Sequence, residues 1–372
     1  KTFYLRKISP LPIIFFTVTN DLSYDQRMIR ICTSLANAGY EVTLVGRKRK
    51  TSIPLKTMPF TQKRLFCFFD KGFAFYAEYN TRLFFYLLFQ KMNGICAIDL
   101  DSILPCYYVS RIKKITRIYD AHELFCEMKE IVTRPRIYRV WKWIERKTVP
   151  WFTHGYTVNQ PIAAEFERMY GCRYAVIRNI SLYDAHQQLP EKERFILYQG
   201  AVNEARCFET LIPAMKHVNV PLVICGDGNF MQQAKKITEA AGLQEKVLFK
   251  GMLLPAELKL QTQKAYIGIT LFEPGARSNY FSLANRFFDY LHAGVPQICV
   301  DFPVYRELNN KHEVAVLVND TSSESIAKAL NELLQDRDKW ERLSKNCLEA
   351  AKTLNWQEEE KKLLNIYKQL FG

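Results

Sequence analysis

Apolar runs four to eight residues long alternate along this chain with stretches whose apolar residues recur every three or four positions. "PIIFFTVTN" (12–20) reads as a buried strand, and "SYDQRMIRICTSLANAGY" follows with Met28, Ile29, Cys32, Leu35 and Ala36 at helical spacing. Gly39 is a suitable helix stop, and "EVTLVG" (41–46) is the next strand. A β-α-β opening predicts a parallel, doubly wound sheet. Further strands are expected at 95–100, 116–121, 155–159 and 174–179. The segment 181–194 is polar and turn-rich and reads as a linker. The alternation then restarts: strand 195–200, a helix to about His217, strand 220–228, a helix to Ala241, and strands 247–251 and 265–272. In 272–303 a loop precedes a helix over Phe287–His292, a Gly294 stop and a buried strand. From Thr321 the pattern is helical, broken near Asp336 and at "NW" (355–356). The expectation is an α/β fold of two doubly wound, Rossmann-like domains, 1–185 and 186–354. A last helix over 355–372 is expected to cross back to the first. Two such domains facing each other place the carboxyl ends of both sheets on one cleft, the preferred ligand position in open α/β folds.

Composition adds one asymmetry to this picture. Residues 1–185 hold 29 Lys and Arg against 15 Asp and Glu, while 186–372 hold 23 of each. The whole net charge of +14 therefore belongs to the first half, which points to an acidic partner there. Ten dispersed cysteines form neither CxxC pairs nor clusters with histidine, which argues against a zinc site or a disulfide framework and for a reducing, cytoplasmic setting. No apolar run approaches the ~18 residues of a membrane-spanning helix. The opening, "KTFYLRKISPLPIIFFTVTN", has a basic lead and a short apolar run but no small-residue cleavage site, and reads as a first strand.

Candidate chemistry sits where strands end. Gly200 ends one strand and Arg206 lies near the next helix start; a guanidinium beside helix N–H groups makes a phosphate site, although a surface arginine has the same sequence signature. Gly226 ends another strand and permits a tight turn or a close approach. The loop before the Phe287 helix is placed to point N–H groups at an anion. Arg286 stands where a cation opposes the helix dipole unless an anion compensates. Asp289, one turn on, suits hydroxyl recognition on a sugar. In the first half, "YDAHELF" puts Asp120, His122 and Glu123 just past a strand end. Asp99 and Asp101 form a DxD whose simpler reading is helix capping or lining of an acceptor cleft, not metal binding. Asp25 and Arg27 either border the cleft or are a first-turn acid and its neighbour.

The order of these motifs resembles the GT-B glycosyltransferases of family 4, the group 1 retaining enzymes that use sugar nucleotides. A subgroup writes its last motif as "SLPNKxFEYxxAGxPV"; here it reads "SLANRFFDYLHAGVPQI", matching nearly position by position over Ser282–Gln297. "DLDSILP", "YDAHELF" and the late "NW" extend the resemblance over almost the whole chain. The resemblance implies that Arg206 and Arg286 replace the family's lysines on the donor diphosphate and that Asp289 replaces the second Glu of Glu-x7-Glu on the ribose hydroxyls. It implies that Tyr280, Phe281, Ser282, Leu283, Ala284 and Asn285 line the donor with Gly200 and Gly226. It implies a transition-state or donor-hydroxyl contact for His122, with Glu123 as its orienter or an acceptor contact. The chain departs from the pattern at Phe281, where the first Glu is expected, at Ala201, where the family has Arg, and at Cys207, where it has Gly. Glu273 is a carboxylate that could compensate for the first Glu.

The implied activity is metal-independent, retaining transfer of a hexose from a nucleoside-diphosphate sugar, with UDP the expected base, to a glycan or lipid-diphosphate-linked acceptor in polysaccharide or O-antigen assembly. No cofactor is expected. "KRLFCFFDKGFAFYAEYNTRLFFYLLFQK" (63–91), "RIKKITR" and "RPRIYRVWKWIERK" mix basic with aromatic residues. They read either as core-facing helices with solvated charges or as a peripheral contact with the inner face of an anionic membrane. No nucleic-acid signature accompanies the charge. A non-catalytic GT-B partner and a sugar-nucleotide epimerase are the alternative readings.

Overall fold

A computed structural model describes residues 12–372 apart from Tyr24 and Ala276. The basic lead of the opening segment, residues 1–11, lies outside the described residues. The chain forms two compact units. One comprises residues up to Cys126, Ile131–Ile177 and Glu360–Gly372; the other comprises Glu127–Glu130 and Arg178–Glu359.

The first unit is built on seven parallel strands: β1 (Ile13–Thr17), β2 (Glu41–Lys48), β3 (Thr61–Phe66), β4 (Gly94–Ile98), β5 (Thr116–Ala121), β6 (His154–Thr157) and β7 (Ala175–Val176). They lie in the order β3-β2-β1-β4-β5-β6-β7. The second unit holds β8 (Ile196–Gln199), β9 (Leu222–Cys225), β10 (Val247–Gly251), β11 (Ile267–Thr270), β12 (Gln297–Val300) and β13 (Ala315–Val318), ordered β10-β9-β8-β11-β12-β13. Every pairing is parallel. Alternation along the strands feeds two helical layers: β8 sends Ile196 and Tyr198 into one core and Leu197 into the other. In both sheets the winding reverses between adjacent strands, β1 and β4 in one and β8 and β11 in the other. Those are the topological switch points, and their carboxyl ends are where ligands bind in such folds.

Several elements differ from the sequence expectation for local reasons. β3 lies inside the aromatic-basic segment and is an edge strand with half-exposed residues on both faces, so it shows no apolar alternation. β13, an edge strand of the second sheet with four residues, was also not expected. The strand expected over 174–179 shrinks to Ala175–Val176. The aromatic-basic segment continues into a helix, Gly72–Leu88, that buries Phe75, Tyr79, Leu83 and Leu87 as an i, i+4 row. The domain boundary expected at 185/186 falls at 177/178.

The late helices break at Asp336, which accepts the Lys339 N–H and starts a second helix, Arg337–Ala351. The last helix, Trp356–Phe371, begins in the second unit and ends in the first. Leu363 and Tyr367 are fully buried, the Tyr367 ring lies 6.1 Å from Phe16, and its hydroxyl is 3.3 Å from that of Tyr156. Tyr367→Ala is therefore expected to destabilise the first unit by about 3–5 kcal/mol, read as a lowered denaturant midpoint.

Candidate functional site

At the β1/β4 switch point of the first unit, side chains that were expected to border a cleft are mostly turned on one another. Arg27 is buried and makes a two-pronged pair with Asp120, Nη2 to Oδ1 at 2.8 Å and Nε to Oδ2 at 3.1 Å. Its third contact is the Ile177 carbonyl at 3.0 Å. Arg27 thus does not border a cleft; it compensates the charge of a carboxylate at the end of a central strand. Asp25 caps the helix Gln26–Asn37 by accepting the Met28 N–H. Neither Asp99 nor Asp101 caps the helix Ile103–Lys113, whose first residues have no side-chain cap. Asp99, held at φ +53°, instead accepts the His122 backbone N–H at 2.8 Å and sits 3.1 Å from His122 Nδ1. Asp101 accepts from Thr19 Oγ1 at 2.5 Å.

His122 therefore lies between two carboxylates, with Nε2 3.2 Å from Asp120 Oδ2 on its other side. Asp99 and Asp120 flank the ring on its two nitrogen sides. Burial disfavours its charge, but the two carboxylates outweigh burial and raise its pKa well above the ordinary value. Asp120 is driven the other way: burial works against its ionisation, and Arg27 and His122 still hold it below the usual carboxylate range. Asp101, half-buried, is pushed up to about 7 by desolvation and by the Asp99 charge beside it. Among the described residues no group of three or more His, Cys, Asp or Glu is placed to hold a metal ion.

The β8/β11 switch point of the second unit is built around a different cation. Arg286, in the first turn of the helix Asn285–His292, is buried, its guanidinium 4.6 Å from the Tyr198 ring and 4.9 Å from the Phe272 ring. Nη1 donates to the Tyr198 hydroxyl and to the Gln199 carbonyl, both at 3.2 Å. Nε and Nη2 are buried and have no hydrogen-bond partner. Burial opposes the charge, but the surrounding Tyr198, Tyr290 and Tyr305 offset it, so the group stays protonated. Gly200, at φ +118°, leaves the room the guanidinium needs: a Cβ there would lie 3.2 Å from Nη1. Arg206 also approaches the Phe272 ring, at 4.5 Å, with Nη1 donating to Asn279 Oδ1 at 2.9 Å. Phe272 thus has a guanidinium near it from each of the two arginines, at the end of β11.

Asp289 lies one turn beyond Arg286. Its Oδ1 accepts from Ser181 Oγ at 2.8 Å and its Oδ2 from Gln199 Nε2 at 2.9 Å, while Gln199 Oε1 accepts from Thr262 at 2.6 Å. Ser181, Gln199 and Thr262 were missed from sequence; the one signal was a buried glutamine ending an apolar strand. The loop N–H groups expected to meet an anion are largely used internally: Phe281 and Ser282 donate to Arg277 and Asn279 carbonyls, and Ala284 to the Tyr305 hydroxyl. Gly226 serves packing instead of ligand approach, since a Cβ there would fall 1.8 Å from the Gly200 carbonyl oxygen. Leu283 is core, Asn285 is exposed, and Tyr280 stacks edge-on against Phe281 at 5.3 Å. Ser282 Oγ bonds back to the Asn279 carbonyl. Glu273, the carboxylate considered as a substitute for the missing Glu, is paired with Lys129 at 3.2 Å.

Two doubly wound parallel units, with cations gathered at a switch point, define the GT-B class of glycosyltransferase folds. Residues 180–350 match the family model "Glycosyl transferases group 1", in line with the sequence resemblance. Solved structures align over nearly the whole chain. Sucrose-phosphate synthase from Thermosynechococcus elongatus is similar with TM-score 0.77 and 18% identity, over 97% of this chain and 99% of that one. The Anabaena Alr3699/HepE protein, solved in complex with UDP-glucose, gives 0.73 and 12% over 96% and 100%. WaaG, a glycosyltransferase involved in lipopolysaccharide biosynthesis, gives 0.71 and 14% over 95% and 99%. No curated protein sequence matches this chain.

The carboxylates around His122 yield a direct expectation. The ring should carry protons on both nitrogens at neutral pH, which nitrogen-resolved NMR reads. With the folded pKa above about 6.5, its stabilisation is fully present below that value and is lost as pH rises through the folded pKa. Asp99→Asn should move the titration back down toward 6.5; a titration that does not move would remove Asp99 from this role.

Proposed function

We propose that this protein is a retaining, metal-independent glycosyltransferase. It moves a hexose from a nucleoside-diphosphate sugar, UDP-hexose by preference, onto a glycan or lipid-linked saccharide. The observation that carries this reading is Arg286: a buried guanidinium with two N–H-bearing nitrogens unpartnered, at a switch point, with Arg206 beside it. Burying an incompletely paired cation costs stability, and a site that does so is arranged for an anion supplied from outside. A diphosphate provides two negative groups for two arginines, and the charge that grows on it as the glycosidic bond breaks is what preorganised cations stabilise. That UDP and UDP-glucose are bound by a protein of the same fold supports this choice of donor.

In this reading Asp289, held by Ser181 and Gln199, accepts ribose hydroxyls. The sugar leaves with its electron pair on the diphosphate oxygen and passes through an oxocarbenium-like ion pair. The acceptor hydroxyl attacks the same face and gives its proton to the departing diphosphate oxygen. His122, with a carboxylate oxygen 3.1 to 3.2 Å from each ring nitrogen, acts as a fixed cation and donor-hydroxyl contact, not as a base. A second reading, a GT-B protein that binds donor without transferring it, is favoured by Phe281 in place of a carboxylate and by the pairing of Glu273 with Lys129. Donor turnover separates the two: binding with no transfer or hydrolysis supports the non-catalytic reading.

Arg286→Met tests the central claim. It should leave the unliganded protein as stable or more so, because it removes a poorly paired buried charge. It should also weaken donor binding and cut transfer by roughly tenfold to a thousandfold. An undiminished thermal shift with UDP-glucose would overturn the assignment. EDTA should leave transfer unchanged, and a dependence on added Mg²⁺ or Mn²⁺ would return Asp99 and Asp101 to consideration as metal ligands.

A further inference from the structure

The helix Pro135–Thr148 shows solvent the residues that a solvated helix face ordinarily lacks. Its inner side is accounted for: Trp141 packs edge-on against Tyr76 and Phe125 at 5.1 and 5.0 Å, and Ile144, Glu145 and Thr148 are buried. Its outer side carries Ile137, Val140 and Trp143 in an i, i+3, i+6 row, 41, 49 and 56% exposed. Arg134, Arg136, Arg139, Arg146 and Lys147 accompany that row, and all five are exposed. The one acid between Arg134 and Thr148 is Glu145, which is buried and accepts from Lys142 Nζ and the Tyr170 hydroxyl, both at 2.6 Å. The charge that this helix presents is positive throughout.

The wider surface agrees. Nine of the ten exposed aromatic side chains among the described residues belong to the first unit, and the net charge of the chain resides in the same half. Four of them, Phe66, Phe68, Phe69 and Phe73, cluster in sequence at the turn from β3 into the helix Gly72–Leu88. That turn is built: the Glu78 carboxylate accepts the N–H groups of Phe68 and Phe69, and Arg47 bonds the Phe69 carbonyl and Asp70.

We propose that the outer face of helix Pro135–Thr148 lies on an anionic bilayer, with Ile137, Val140 and Trp143 at the headgroup–acyl boundary and the five cations among the lipid phosphates. Apolar rows interleaved with Arg and Lys, with tryptophan among them, suit that boundary: the rings leave water while the long basic side chains reach back to the phosphates. Each basic residue near an anionic surface adds attraction that salt screens. A nucleic acid would use the cations and leave the apolar row in water, so the row selects the bilayer. No helix among the described residues is long and apolar enough to cross a membrane, so this one lies on it. The proposal is independent of the activity proposed above.

Co-sedimentation of the full chain with phosphatidylcholine vesicles, with and without phosphatidylglycerol, tests it. Binding is expected only to the anionic vesicles and should weaken with added salt. Val140→Ser with Trp143→Ser should lower affinity about tenfold or more, and Arg136→Gln with Arg139→Gln should lower it and flatten the salt dependence. Trp143→Tyr should retain binding. Because these residues are exposed, circular dichroism should be unchanged in all the variants. Wild-type failure to bind, full binding by the Val140/Trp143 variant, or binding to single-stranded RNA that this variant retains while vesicle binding is absent, would each overturn the proposal.

Discussion

Parallel strands cannot be joined by tight turns, and most of what this chain can do follows from that constraint. Each strand must be followed by a crossover, and the crossovers cover both faces of each sheet with helices. Where the winding reverses, between β1 and β4 and again between β8 and β11, neighbouring crossovers leave in opposite directions and leave the strand ends uncovered. The polar residues that cannot enter the apolar cores collect there. His122, Asp99 and Asp101 mark one such place and Arg206, Arg286 and Asp289 the other.

The two switch points handle buried charge in opposite ways. In the first unit, cations and carboxylates complete one another: Arg27 and His122 both meet Asp120, and His122 also meets Asp99. Little charge is left over, and the groups are fixed in place. In the second, the Arg286 guanidinium rests between rings and one carbonyl, with much of its donor capacity unused. The first arrangement stabilises an orientation, whereas the second stores an unmet electrostatic demand.

Much of the architecture was legible because strand and helix periods are local properties. The β-α-β opening, the restart after the linker, the helix break at Asp336 and the stop at Gly294 all follow from residues within a few positions of each element. The edge strand β3 was not legible, because its residues TQKRLF are half exposed on both faces and do not alternate; β13 is a four-residue apolar run, too short to be told from a helix segment by pattern alone. In the site, the residue types at 286 and 289 were readable from their spacing before "AGVPQI". Their partners were not. Tyr198, Gln199, Ser181 and Thr262 are brought in by strand pairing and chain crossover over separations of 63 to 108 positions, which no local pattern reports. Arg27 was misplaced for the same reason: its partner Asp120 is 93 residues away.

The last helix carries a consequence for the order in which the protein comes into being. Leu363 and Tyr367 complete the core of the first unit, although every residue of the second unit precedes them in the chain. During synthesis from the amino end, the second unit has all of its parts before the first has its final ones. The half that is made first is therefore the half that is finished last. Its central strands must wait, without the Tyr367 ring against Phe16, until the rest of the chain has emerged.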